Sequence, residues 1–110
     1  MATNPDVHSG DESFAEQTAL TDLLGTHPKV KILAVLLSEG RDINISHIAE
    51  QAGMSRSTVY DHIEDLQALG VVEQTRKISG SPLYQINKDS DVAEQLHKLE
   101  WSLIDTVASE

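Results

Sequence analysis

The stretch Ile45-Ser46-His47-Ile48-Ala49-Glu50-Gln51-Ala52-Gly53-Met54-Ser55-Arg56-Ser57-Thr58-Val59-Tyr60-Asp61-His62-Ile63 decides how this chain reads. Ile48, Ala49 and Ala52 recur at helical spacing behind Ser46, a residue suited to capping, and Gly53 closes that run. Only Met54 intervenes before Ser55, a second capping residue, after which Val59, Ile63, Leu66 and Leu69 follow at i, i+4, i+7 and i+10. Gly53 permits the sharp turn that sets two such helices about 90–120° apart.

Towards the N-terminus, Gly40 ends an earlier helix whose buried face is Val30, Leu33, Leu36 and Leu37, with Thr26 as its cap and Pro28 in its first turn. A shorter helix carrying Leu20, Leu23 and Leu24 stops at Gly25. Between Gly40 and Ser46, the alternation from Asp42 to Ile45 makes a short strand at most. Residues 1–16 are dominated by Asn, Pro, Asp, Ser, Gly and Glu and read as a disordered acidic tail.

Towards the C-terminus, Gly70 stops the second helix of the central pair. Two β-prone runs, Val71 to Arg76 and Leu83 to Asn87, flank Lys77 to Pro82, whose Gly and Pro signal a hairpin loop. Asp89 or Ser90 then caps a last helix, Asp91 to about Ala108. Val92, Leu96, Leu99, Leu103 and Val107 form one apolar stripe on it; His97, Trp101, Ile104 and Ala108 form another, displaced around the helix.

Composition bounds the function. The 110 residues suit one domain, and Leu, Ile, Val and Phe make up about 26% of them, above the ~20% floor of disordered chains. The longest apolar run, Ile32 to Leu37, falls far short of the ~20 residues of a membrane span, and Met1 to Gly10 has no signal-peptide pattern, so a cytoplasmic protein is expected. With no cysteine, disulfides, thiolate metal sites and cysteine nucleophiles are excluded. The formal charge of −10 should repel polyanions on average. Positive charge is confined to residues 23–41 (+2) and to 74–88 (+3), where Arg76, Lys77 and Lys88 meet no acid.

Helix, helix, short strand, helix, tight turn, helix, hairpin, helix is the order of a winged helix-turn-helix: an α+β, mostly helical fold with a two-stranded wing. Its domain would span 17–88, leaving 89–110 as a dimerisation helix. The segment Asp65-Leu66-Gln67-Ala68-Leu69-Gly70-Val71-Val72-Glu73 resembles the L-x-x-L-G-[LV]-V-E junction between recognition helix and wing in repressors of the ArsR and MarR type. The resemblance spans about Leu20 to Asn87, more weakly to Trp101, and the whole is similar to small winged-helix regulators common in haloarchaea, where an acidic surface is usual.

That resemblance implies a homodimeric regulator, by default a repressor, of double-stranded DNA. Ser55, Arg56, Ser57, Thr58, Tyr60 and Asp61 fall on the exposed early turns of the recognition helix, slim enough to enter a major groove. Arg56 carries the strongest expectation, because its planar fork matches guanine O6 and N7 or a phosphate. Arg76 and Lys77 enter the wing, and Lys29 and Lys31 begin the helix that similar proteins bring to a phosphate. A dimer would rest on Leu96, Leu99, Trp101, Leu103 and Ile104 of the last helix with Leu20 and Leu24, spacing two recognition helices about 34 Å apart. Trp101 is the expected anchor.

Plainer readings stand beside these. Arg76 and Lys77 also suit the blunting of a strand edge. His8, His27, His47, His62 and His97 raise a metal sensor, yet none has a convincing ligand partner, so no metal or other cofactor is expected. Asp61, Glu64 and Asp65 fit a solvated helix face better than acid–base chemistry, so an enzyme is not expected. The alternatives to a DNA regulator are a winged-helix interaction module of the transcription machinery and a sensor of metal or ligand. The sequence does not identify an effector.

Overall fold

The computed structural model describes residues 13–108. Most of the expected tail, residues 1–12, lies outside them. Residues 13–16 do not behave as a tail: Phe14–Gln17 form a 3-10 turn, with Ala15 completely buried against the main core. The small side chain of Ala15 fits there, and the Thr21 hydroxyl donates to its carbonyl at 2.9 Å.

Eight regular elements follow: α1 (Ala19–Leu24), α2 (Pro28–Glu39), β1 (Ile43–Asn44), α3 (Ile45–Ala52), α4 (Arg56–Ala68), β2 (Val72–Ile78), β3 (Ser81–Ile86) and α5 (Asp91–Ala108). This is a winged helix-turn-helix, mostly helical with a small antiparallel sheet. The short strand pairs with the hairpin, so the wing sheet has three strands in the order β1-β3-β2 rather than two. Ile43 faces Tyr84 and Asn44 faces Leu83, which ties the start of α3 to the wing.

Capping sets the boundaries, and two caps differ from expectation. Thr26 yields to His27, whose Nδ1 accepts from the Lys29 amide at 3.1 Å. Ser46 yields to Asn44, whose Oδ1 accepts from the His47 amide at 2.8 Å, starting α3 earlier and leaving Ser46 exposed in its first turn. Ser55 and Ser90 cap as expected, accepting from the amides of Thr58 and Ala93 at 3.1 and 3.2 Å. Gly53 joins α3 to α4 with φ +69°, and a Cβ there would fall 2.7 Å from the Cβ of Ser13. The turn therefore needs glycine for both its backbone and its close neighbour.

The core gathers Ile32 and Val35 of α2, Ile48 and Ala52 of α3, Val59, Ile63 and Leu66 of α4, and Val71, Val72 and Tyr84 of the wing. Leu69, expected on the inner face of α4, is exposed, because the helix ends at Ala68 and Leu69 serves as its C-cap. The hairpin loop is shorter than expected. Lys77 and Ile78 pair with Pro82 and Ser81, leaving Ser79 (φ +52°) and Gly80 (φ +83°) as a two-residue turn of the kind that matches strand twist.

The last helix turns Ala93, Leu96, Leu99 and Leu103 towards the domain, where the three leucines pack with Leu20, Ala34 and Leu37. Val92 and Val107, expected on that stripe, are exposed. No described helix is long and apolar enough to cross a membrane.

Candidate nucleic-acid interface

With Val59, Ile63 and Leu66 locked into the core, the other faces of α4 point outward. Arg56, Ser57, Tyr60 and Asp61 are exposed, and Thr58 is half-buried. The Ser55 hydroxyl is committed to the helix start: besides capping Thr58, it lies 3.1 Å from Ser57 Oγ and 2.9 Å from Thr58 Oγ1. The end presented outward is thus a compact hydroxyl cluster on the positive pole of the helix, a favourable neighbour for phosphate. Asp61 makes no hydrogen bond or ion pair with Arg56 among the described residues.

The wing meets this helix along a crevice of about 40 Å³. It is lined by Arg56 and Tyr60 of α4, by Ser81 and Pro82 of β3, and by Asn44, Ile45 and Ser46 at the start of α3. Ser46 and Ser81 are hydroxyl donors missed in the sequence. The sequence suggests Ser46 as a cap and places Ser81 in the hairpin loop; the packing of α3 on α4 and the pairing of β3 bring them to the crevice that Arg56 lines. On β3, burial pushes the Tyr84 hydroxyl above its ordinary pKa, with Tyr60 and Glu64 adding to the effect.

Ion pairing sorts the basic candidates. Lys29 Nζ lies 3.1 Å from Asp65, and Lys31, which is buried, lies 3.2 Å from Glu16. The expectation that Lys31 meets a phosphate is corrected: its stem is covered and its charge is met by the ordered 3-10 turn. Arg76 is paired with Asp42 at 3.0 Å, Arg41 with Glu39 at 3.7 Å and Lys98 with Glu94 at 3.5 Å. Of the described lysines and arginines, only Arg56, Lys77 and Lys88 lack an ion pair. The acid excess is therefore spent locally, neutralising most of the bases while sparing Arg56 on the recognition helix and Lys77 on the wing.

Comparison with protein families matches residues 29–83, half of the chain, to the HTH domain. The chain belongs to the HTH domain family. The matched residues run from the start of α2 into β3 and take in the whole helix-turn-helix, the DNA-binding unit of transcription regulators. A search of curated proteins found no match.

Outside the matched residues of this HTH protein, the expected dimer residues separate into two groups. Leu20 is completely buried and is corrected to intramolecular core, while Leu96, Leu99 and Leu103 pack against its cluster and stay half-covered. The short helix α1 needs a lid and α5 supplies it. Leu24, Trp101 and Ile104 stay exposed, joined by Leu23 and Phe14. Phe14, Trp101 and Ile104 border a hollow of about 460 Å³ that also includes His97 and Glu100. The Trp101 indole N–H donates to His97 Nε2 at 2.8 Å.

The remaining described histidines are dispersed. His27 meets His62 edge-on at 5.5 Å, His47 lies 3.2 Å from Glu39, and no group of three or more potential ligands gathers among the described residues.

Proposed function

We propose that this HTH protein is a sequence-specific, double-stranded DNA-binding regulator of the ArsR and MarR kind, acting in the cytoplasm as a homodimeric repressor that occludes promoters. The observation that carries the reading is the crevice in which Arg56 and Tyr60 of α4 stand beside Ser81 and Pro82 of the wing, with Arg56 free of any ion pair among the described residues. A helix that enters the major groove reads bases with side chains of its first turns, while a wing alongside tracks the backbone. The exposure of Arg56 on the first turn of α4 suits it to the first task, and that of Lys77 on the wing supports the second.

Dimerisation is supported by the apolar surface left open by α5, where Trp101 is 53% exposed and Val107 66%. Large aromatics at such sites supply much of an interface's energy. The acidity of the remaining surface fits a salt-loving cell, because the Debye length at 1 M salt is about 3 Å and remote acids then hardly repel DNA.

The test is selection of bound fragments from sheared host DNA at about 2 M KCl, with the native chain and with Arg56→Glu. Recovery of a few sites sharing a palindrome, lost in the variant, is the expected result. Equal recovery by both proteins removes Arg56 from the interface. No enrichment by folded native protein favours an interaction module or a ligand-dependent switch.

A further inference from the structure

The wing contains an irregularity at its charged position. Gln74 pairs with Tyr84 and Lys77 with Pro82, so Thr75 and Arg76 together oppose the single residue Leu83. This is a β-bulge, a device that re-aims side chains. In a regular strand, neighbouring side chains point to opposite faces. Here both reach one carboxylate: the Thr75 hydroxyl donates to Asp42 Oδ2, Arg76 Nε–H donates to the same oxygen at 3.0 Å, and Arg76 Nη2–H donates to Oδ1 at 3.3 Å.

Asp42 directly precedes β1, so the clasp reaches across β3 to β2. Its two ends are unequal. The Asp42 side chain is 13% exposed and that of Arg76 is 64% exposed: the carboxylate is anchored and the guanidinium is presented. The hydrogen bonds from Arg76, then Thr75, hold the Asp42 carboxyl below its ordinary range.

We propose that Asp42 is a positioning residue of the DNA interface, which cancels the charge of Arg76 and occupies two of its N–H donors so that the rest make one directed contact instead of a general attraction to phosphate. A guanidinium has five N–H donors, and three remain after the clasp. Lys77, the next residue, has no ion pair among the described residues and acts as the wing's ordinary phosphate contact. The proposal rests on the DNA-binding reading above.

The experiment measures binding of the full chain to mixed-sequence duplex DNA by fluorescence anisotropy over a range of KCl. Native protein, Asp42→Asn, Arg76→Gln and the double variant are compared, with circular dichroism as the folding control. Each phosphate neutralised contributes about 0.9 to the slope of log K against log salt. Asp42→Asn is expected to steepen the slope by up to about 0.9 per protomer and to tighten binding several-fold at the lowest salt. Arg76→Gln, which leaves the Asp42 carboxylate uncompensated, is expected to flatten the slope and weaken binding, and the double variant, in which neither charge remains, is expected to return to the native slope.

Two results overturn the proposal: no steepening in folded Asp42→Asn, or a slope flattened by about 0.9 from the native one in the double variant, which would mean that Arg76 already holds a phosphate. The double variant leaves neither charge unpaired and remains decisive if Asp42→Asn fails to fold. Absence of binding by folded native protein at every salt concentration overturns the DNA reading itself, and this proposal with it.

Discussion

The helices α4 and α5 solve the same problem differently. On α4, 13 residues long, Val59, Ile63 and Leu66 are buried, and the outward positions Arg56, Ser57, Tyr60, Asp61 and Glu64 carry polar groups. On α5, 18 residues long, only Ala93 is buried, Leu96, Leu99 and Leu103 are half-covered, and Val92, Trp101, Ile104 and Val107 face outward. A helix whose apolar stripe is completely covered within its own chain leaves a face suited to a polar partner. One that is apolar on two sides is only half satisfied within the chain, and its outer side suits an apolar partner.

The largest effect that can break this contrast is a pair of truncations. Ile63→Ala on α4 should cost about 2–5 kcal/mol, measured by denaturant unfolding, because the removed atoms leave a closed cavity. Leu99→Ala on α5 should cost well under half as much, since its site is already open to solvent on one side. Equal losses would show that α5 is as integral to the core as α4.

Next comes Trp101→Glu. Light scattering should report a monomer in place of the dimer proposed above, while the unfolding free energy of the dilute monomer stays within about 0.5 kcal/mol, as for surface substitutions generally. A dimer that survives the charge would move the interface elsewhere.

The smallest effect concerns Glu100 in the hollow beside Trp101. Burial raises its carboxyl above the ordinary 4.5, with His97 partly opposing. A raised carboxylate favours the fold below its unfolded pKa, and that contribution is lost as pH rises through the folded value. Glu100→Gln should therefore melt above the native protein at neutral pH, and the gap should vanish below about pH 4.5. A gap of the same size at both ends would tie the effect to shape rather than charge.

How far the site was legible follows from how local its causes are. Ser55 as a cap, Gly53 as the turn, and Val59 and Ile63 as the inner face of the recognition helix depend on residues a few positions apart, and each stands as read. That inner face alone places Arg56 and Tyr60 outward. The basic candidates fared differently because an ion pair is a long-range event: Lys31 meets Glu16 15 residues away, and Arg76 meets Asp42 34 residues away. Charge counted along the chain marked 23–41 as positive, yet Lys29, Lys31 and Arg41 there are each met by an acid.

The sequence by itself determined the order of the helices, the turn between α3 and α4, the wing hairpin and the outward face of the recognition helix, because periodicity, capping and glycine act within one or two turns. Tertiary structure alone decided which of two apolar stripes α5 would bury, which bases would stay free of acids, and that a bulge would turn Thr75 and Arg76 onto one carboxylate. Those outcomes depend on distances between residues far apart in the chain, and such distances exist only once the core has closed.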